Sequence, residues 1–196
     1  MKITVNANSL RAAMASVSGK QDGRDYLQWI CLDLDCNPPM IVATDGHAMV
    51  EASVSVEFGL PESRELRTGR VLFQVSRKLP KNCDIAVLDT TERQVSDAHR
   101  GDFKTPVFIG LAEPDTTAAF PEWQRVSAFR RKDWDYQVTA RSVALNTNMI
   151  ARAVGDAPVR LELPKDKTHP IRVRPLETGQ DWLMTVMPCF DKDPES

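Results

Sequence analysis

The stretch Ile3-Thr4-Val5-Asn6-Ala7-Asn8-Ser9-Leu10-Arg11-Ala12-Ala13-Met14-Ala15-Ser16-Val17 decides the fold class, because it places a strand directly before a helix. Residues 3–5 are all β-branched, as is typical of strands. Asn8 or Ser9 is expected to cap a helix over 10–17, where apolar residues recur at helical spacing. The chain is therefore predicted to open with a strand followed by a helix of about two to three turns.

The same order of elements recurs twice further along the chain. A second copy starts at 71–73, continues through an amphipathic stretch over 76–83 and ends in a strand over 85–88. A third starts at 143–145 and predicts a helix and then a strand within 149–163. The opening strands lie 68 and 72 residues apart, a near-constant period that indicates a repeat. We predict an α+β fold of three repeats, each a helix plus an antiparallel meander.

Alternating apolar and polar runs after the first helix predict the meander. Its strands are expected over 29–34, 40–44 and 47–56, with turns at Asn37-Pro38-Pro39 and Asp45-Gly46. These turn residues suit tight connections because proline fixes φ and glycine accepts a positive φ.

Composition indicates a folded protein rather than a disordered or membrane-spanning one. Of the 196 residues, 42% are hydrophobic and 27% charged, which is typical of one domain or two small ones. The net charge of −2 argues against a protein that coats nucleic acid through bulk charge. No apolar run reaches the roughly 18–20 residues of a membrane span, so we expect a cytoplasmic protein with no membrane partner.

The cysteines are expected to be reduced. Cys31, Cys36, Cys83 and Cys189 form no C-x-x-C pair, and no histidine is spaced to complete a zinc site. We predict no metal site and no cofactor.

The three predicted helical windows are selectively basic. Residues 8–20, 74–83 and 147–155 contain no carboxylate, although 27 of the 196 residues are acidic. Such faces suit a surface that lies close to a polyanion such as DNA, although a solvated helix face is the plainer alternative. The cations in these windows are Arg11, Lys20, Arg77, Lys78, Lys81 and Arg152.

Five further segments occur in a characteristic order: Gln21-Asp22-Gly23-Arg24-Asp25-Tyr26-Leu27, Val42-Ala43-Thr44-Asp45-Gly46-His47, Gly101-Asp102-Phe103, Phe120-Pro121-Glu122-Trp123-Gln124-Arg125-Val126 and Val186-Met187-Pro188. Together they resemble the bacterial sliding clamp, the beta subunit of DNA polymerase III. The resemblance extends over nearly the whole chain and matches the second clamp domain followed by a shortened third. It implies the sliding-clamp fold, with helices facing DNA and sheets facing outward.

The resemblance also implies a domain division and a function. Residues 1–117 would form a two-repeat clamp-like domain, 118–130 a linker and 131–196 a shortened single-repeat domain. The function implied is that of a non-enzymatic polymerase processivity factor in DNA replication. Clamps close a ring by joining first to third domains, so whether this chain forms a ring or another homo-oligomer stays open.

In the family, polymerases and other clamp users dock short linear motifs, with a glutamine and bulky apolar side chains, into an apolar groove between the second and third domains. Apolar walls accept such anchors while a few polar groups set their register. By matching position, the residues of this peptide-binding groove are Arg24, Leu27, Thr44, Gly46, His47, Met49, Pro121, Arg125, Val126, Met187 and Pro188.

Double-stranded DNA is the second partner that the resemblance implies. Gln21 and Tyr26 fall where the family's loop contacts the duplex, and Lys20 and Arg24 flank them. Asp25 stands where a second aromatic residue is expected.

The groove itself departs from the family pattern at two places. Ala48 replaces an arginine after the histidine, and the segment Cys189-Phe190-Asp191 continues beyond the usual end. We therefore expect an altered peptide preference.

Two alternatives compete with a replication clamp. One is a peptide-binding decoy or regulator that occupies clamp-binding motifs without encircling DNA. The other is an enzyme such as a nuclease, with a metal held by Asp33, Asp35 and Asp45. Alternating aspartates are also typical of the wet face of a half-buried strand, which favours the non-enzymatic prediction.

Overall fold

The computed structural model describes residues 1–17, 24–58, 69–113, 117, 120–127, 150–151, 154, 158–166, 168–176 and 182–187. The described strands are β1 (Lys2–Asn6), β2 (Ile30–Asp33), β3 (Met40–Thr44), β4 (Ala48–Ser53), β5 (Ser55–Glu57), β6 (Arg70–Val75), β7 (Ile85–Asp89), β8 (Gln94–Asp97), β9 (Gly101–Leu111), β10 (Val159–Glu162), β11 (Ile171–Pro175) and β12 (Trp182–Val186). The helix α1 (Ala7–Ala15) and two 3-10 helices, Asp25–Gln28 and Trp123–Arg125, accompany them. The α+β class is confirmed.

All twelve strands join one antiparallel sheet in the order β10-β11-β12-β4-β3-β2-β6-β9-β8-β7-β1-β5. The predicted strand over 47–56 is split at Val54, because β4 pairs with β3 and β12 whereas β5 pairs with β1. Since one residue separates β4 from β5, the sheet curls until its β5 edge returns to the end of β4. This half-barrel encloses the main hydrophobic core.

Helix α1 fills that half-barrel. It begins earlier than predicted, because the cap is Asn6 and not Asn8 or Ser9: the Asn6 side chain accepts hydrogen bonds from the backbone N–H groups of both residues, at 2.9 and 3.2 Å. Leu10 and a series of alanines face inward and pack against β1, β3, β4, β7 and β12. Small side chains allow the helix to approach the sheet closely.

Strands β2, β3 and β4 are buried on both faces. In β3, Ile41 and Ala43 face α1, whereas Met40 and Val42 face a second cluster that contains Phe120. Successive side chains point to opposite faces of a sheet, so every residue of β3 is buried only because both faces are covered.

The second predicted helix is wrong. Residues 76–84 form an irregular loop and turn between β6 and β7. Pro80 lies in the middle of this stretch, where it removes a backbone donor and blocks the preceding helical turn. Backbone carbonyls of this loop are bonded by a side chain instead: the Arg11 guanidinium donates to the carbonyls of Pro80 and Cys83.

The third repeat is described only in part. Ile150, Ala151 and Val154 are helical, and Ile150 and Val154 pack against the main core. The predicted strand over 159–163 corresponds to β10, while the strand predicted over 143–145 lies outside the described residues.

The predicted linker over 118–130 is packed against the sheet where it is described. Phe120 is 3% exposed and Trp123 fully buried. Strand β12 hydrogen-bonds directly to β4, so the C-terminal strands continue the sheet of residues 1–117. The domain boundaries stay a prediction.

The inward face of α1 carries the first testable expectation. Leu10→Ala should lower the free energy of unfolding by about 2–5 kcal/mol, because it leaves a cavity between the helix and the sheet. Leu161→Ala makes the same deletion at a residue that is 43% exposed and should cost far less. Urea unfolding of both variants checks the difference, and equal losses would contradict the packing described for α1.

Candidate functional site

The site is built around the turn between β3 and β4. The Asp45 carboxylate accepts hydrogen bonds from the backbone N–H groups of His47 and Ala48, both at 2.9 Å. The buried Thr44 hydroxyl donates to the Ala48 carbonyl at 2.7 Å and accepts from the Gly46 N–H at 3.0 Å. These bonds hold a rigid turn on which His47 stands exposed.

Arg24 closes one side of the turn. Its Nη2 donates to the Asp45 carbonyl at 3.3 Å, and its guanidinium lies over Gly46. Gly46 has φ +90°, and a Cβ there would come 2.7 Å from Nη1 of Arg24. The positive φ requires glycine, and an added methyl group would also displace the end of the Arg24 side chain. The following 3-10 helix buries Leu27 and places Tyr26 beside Arg24.

Strand β12 forms the second side. Thr185 lies opposite Met49 across the pairing of β12 with β4. Beyond the strand, the Met187 N–H donates to the His47 carbonyl at 3.0 Å, which fixes the half-exposed Met187 side chain next to the turn.

Residues 120–127 form the third side. The fully buried Trp123 donates from its indole Nε1 to Asp33 on β2 at 2.8 Å. At the end of the segment, the Ser127 hydroxyl donates to the buried Glu51 carboxylate on β4. Pro121, just before the first anchor, and Val126, between the two, line the same cavity as the turn.

These three sides enclose a cavity of about 340 Å³. It is lined by Arg24, Tyr26, Leu27, Thr44, Gly46, His47, Ala48, Met49, Pro121, Trp123, Val126, Thr185 and Met187.

Nine of the eleven residues assigned to the groove from the sequence thus surround one cavity. Arg125 is exposed but does not line it, and Pro188 lies outside the described residues. Tyr26, Ala48, Trp123 and Thr185 were missed as lining residues. The pairing of β12 with β4 brings Thr185 in, and no local sequence signal indicated that pairing.

The cavity is chiefly apolar with polar groups at its rim. Among the described residues, the lining contains no carboxylate, and its one permanent cation is Arg24. Such a surface suits bulky apolar side chains, and Arg24, His47 and Tyr26 give it polar side chains that can set a ligand's register.

The three aspartates that the enzyme alternative assigns to a metal each accept hydrogen bonds from a different part of the fold. Asp33 accepts from Trp123, Asp35 accepts from the Gly69 N–H at 2.8 Å, and Asp45 holds its turn. Within the described ranges, no three metal-ligating side chains are grouped to hold an ion.

The described residues among those predicted to face DNA fall into two groups, one at the 76–84 loop and one at the cavity. Arg77, Lys78 and Lys81 are exposed on the 76–84 loop, whereas Arg11 is half-buried and bonded to that loop. Arg24 and Tyr26 line the cavity instead. Lys20, Gln21 and Arg152 lie outside the described residues.

Cys31 and Cys83 are buried free thiols, and Cys189 lies outside the described residues. Burial raises the pKa of the Cys83 thiol to about 11, and a hydrogen bond with Asp97 adds to the rise. Burial likewise raises the pKa of Cys31. Both thiols stay protonated at neutral pH and are poor nucleophiles.

No protein-family model and no curated protein matches the sequence. Solved structures do match. The DNA polymerase III beta sliding clamp of Bartonella birtlesii, bound to griselimycin, is 14% identical with a TM-score of 0.56. The chain has the sliding-clamp fold. The beta subunit of Pseudomonas aeruginosa, at 16% identity and a TM-score of 0.56, and the Bacillus subtilis clamp, at 15% and 0.51, share it.

Each of these matches covers 97% of this chain but only 66%, 67% and 64% of the respective clamp chains. The chain therefore spans about two thirds of the length of the sliding clamps it resembles. Among the described residues, none belongs to a helix with the length and apolar character needed to cross a membrane.

The turn at Gly46 allows a direct test of the site's geometry. Gly46→Ala should lower the free energy of unfolding by roughly 1–2 kcal/mol, because an L-residue is strained at this positive φ and must displace Arg24. Gly110→Ala, where nothing lies within 4 Å of the place that the added methyl group would take, should change stability by less than about 0.5 kcal/mol. Thermal unfolding of the pair gives the comparison, and a neutral Gly46→Ala would contradict the positive φ described for this turn.

Proposed function

We propose that this chain is a sliding-clamp-like protein of DNA replication that binds linear peptide motifs of DNA polymerases and other DNA-processing proteins. The observation that carries the proposal is the cavity between the Asp45-Gly46 turn, the 120–127 segment and β12. The sliding-clamp fold supports it, and so does the meeting of nine sequence-assigned groove residues around that cavity.

The size of the cavity supports a short peptide as its occupant. About 340 Å³ falls within the range of pockets that enclose small ligands. The walls offered by Leu27, Met49, Pro121 and Val126 are apolar, which favours leucine and phenylalanine anchors over charged ones.

The rim supports recognition of the peptide's polar groups. Arg24 donates from Nη2 to the Asp45 carbonyl and places its positive charge at the cavity edge. Because the position after His47 is Ala48, buried against the α1 core, the positive charge of the described lining comes from residue 24. This arrangement is the basis for the altered peptide preference that we expect.

A fluorescent peptide with a glutamine followed by leucine and phenylalanine anchors should bind with a micromolar Kd, about −8 kcal/mol. Met187→Ala and His47→Ala should each weaken binding about fivefold or more, since each removes a wall of the cavity. Phe108→Ala is the matched control, because Phe108 is 53% exposed on β9 and does not line the cavity. Fluorescence anisotropy measures all three.

A peptide with alanine at both anchors provides the second control. Absence of binding at millimolar peptide, or equal binding to wild type and both cavity variants, would contradict the proposal.

What the protein does with a bound motif has two candidate answers. As a processivity factor it would assemble around DNA, and the exposed cations Arg77, Lys78 and Lys81 favour this role. As a decoy or regulator it would occupy motifs without encircling DNA. The loop over 76–84 favours this second role, because it replaces a helix that in the family faces DNA.

Mass measurement in solution, with and without nicked circular DNA, separates the two roles. A processivity factor should form a closed multimer that stays on circular DNA and slides off after linearisation. Replacing Arg77, Lys78 and Lys81 by glutamate should reduce its loading, whereas Arg93→Glu, an exposed change after β7, should not. A protein that stays monomeric and does not bind DNA would refute the ring and favour the regulatory role.

A further inference from the structure

We propose that Asp33 is a positioning residue for the peptide site: it does not itself line the cavity but sets the shape of the wall formed by residues 120–127. The inference rests on the proposed function, because one of its measurements is the affinity for a peptide. Asp33 is 1% exposed on β2, behind the indole of Trp123, and is absent from the cavity lining.

Both oxygens of the Asp33 carboxylate are engaged. Oδ2 accepts hydrogen bonds from Trp123 Nε1 at 2.8 Å, Gln124 Nε2 at 2.9 Å and Arg70 Nε at 3.4 Å. Oδ1 accepts from the Asp35 backbone N–H at 3.1 Å. Four donors thus converge on one buried group, as a carboxylate but no neutral side chain of this size permits.

Arg70 extends the hold to the backbone of the wall. Its Nη1 lies 3.4 Å from the carbonyl oxygens of both Phe120 and Pro121, and its Nη2 donates to the Gln124 side-chain oxygen at 3.3 Å. Asp33 and Arg70 face each other across the pairing of β2 with β6. The rigid sheet therefore fixes the segment at Phe120, Pro121, Trp123 and Gln124 at once.

The wall is a separate layer from the main core. Trp123 and Phe120 pack with Cys31, Val42 and Leu72 on the outer face of the sheet, whereas α1 packs on the inner face. A disturbance at Asp33 should therefore loosen the wall while the inner core stays folded.

Asp33→Asn is the informative variant. Asparagine has nearly the same shape but only one acceptor oxygen, so its NH₂ group must face either the Asp35 N–H or the three donors that Oδ2 accepts from. A buried donor facing another donor loses its bond without compensation. The wall should then detach from β2 for part of the time.

Asp97→Asn is the matched control. Asp97 is also buried, at 5% exposure, but it lies on β8 and accepts the His99 and Arg100 N–H groups through one oxygen, which asparagine retains. Its further bond is with the Cys83 thiol, which is only a weak donor. Strand β8 is separated from β2 by β6 and β9.

Three measurements on the full chain test the inference: the Kd of the anchor peptide, hydrogen exchange of the Trp123 indole N–H, assigned by its loss in Trp123→Phe, and the unfolding midpoint. Asp33→Asn should raise the Kd of the peptide at least tenfold. Under conditions below the unfolding midpoint, it should also speed hydrogen exchange of the Trp123 indole at least tenfold. Asp97→Asn should leave both within about twofold of wild type.

Unchanged indole exchange in Asp33→Asn, or equal losses in Asp97→Asn, would overturn the positioning role. If the wild type binds no peptide, the proposed function fails while the exchange arm still decides whether Asp33 holds the wall. If Asp33→Asn does not fold, Gln124→Ala takes its place. This change removes one donor from a residue outside the lining, and the same measurements should move in the same direction by two- to threefold.

Discussion

The burial of β2, β3 and β4 on both faces is the constraint on which the rest of the structure depends. Their alternate residues pack against α1 on one side and against residues 120–127 on the other. An antiparallel strand covered on one face only would carry polar residues on the other. Here the second face carries the apolar side chains of Cys31, Met40, Val42 and Met49, and residues 120–127 cover it. The cavity lies beside the turn where this cover meets β12.

Two buried carboxylates fix the position of residues 120–127 on the sheet. Apolar packing of Phe120 and Trp123 would hold the segment to the sheet without fixing its position, because hydrophobic contact has no direction. Asp33 and Glu51 add directed bonds to Trp123 and Ser127, one at each end of the wall. Burial of such groups is costly unless each is bonded. A shift of the segment would leave a buried carboxylate without its bond, so a single position of this cavity wall is favoured.

The need to fill the half-barrel also explains the loop over 76–84. In the first repeat, Asn6 caps a helix whose alanines fit the inside of the half-barrel. The second repeat has no comparable run of small residues, and its Pro80 cannot continue a helix. The loop instead ties itself to α1 through Arg11 and buries Leu79 and Cys83. One helix thereby serves the core that the two meanders share over residues 1–113.

Local pattern by itself determined the strands and turns. β-branched runs predicted β1 and β3 to within a residue or two, and the Asp-Gly pair predicted the turn that carries His47, because these features depend on near neighbours. Motif order also named most of the cavity residues. Tertiary structure alone decided that Trp123 is buried on Asp33, that Thr185 meets Met49 and that Arg11 serves a loop rather than a surface. Each of these contacts joins residues far apart in the chain, so its energy depends on the curl of the sheet and has no local signal.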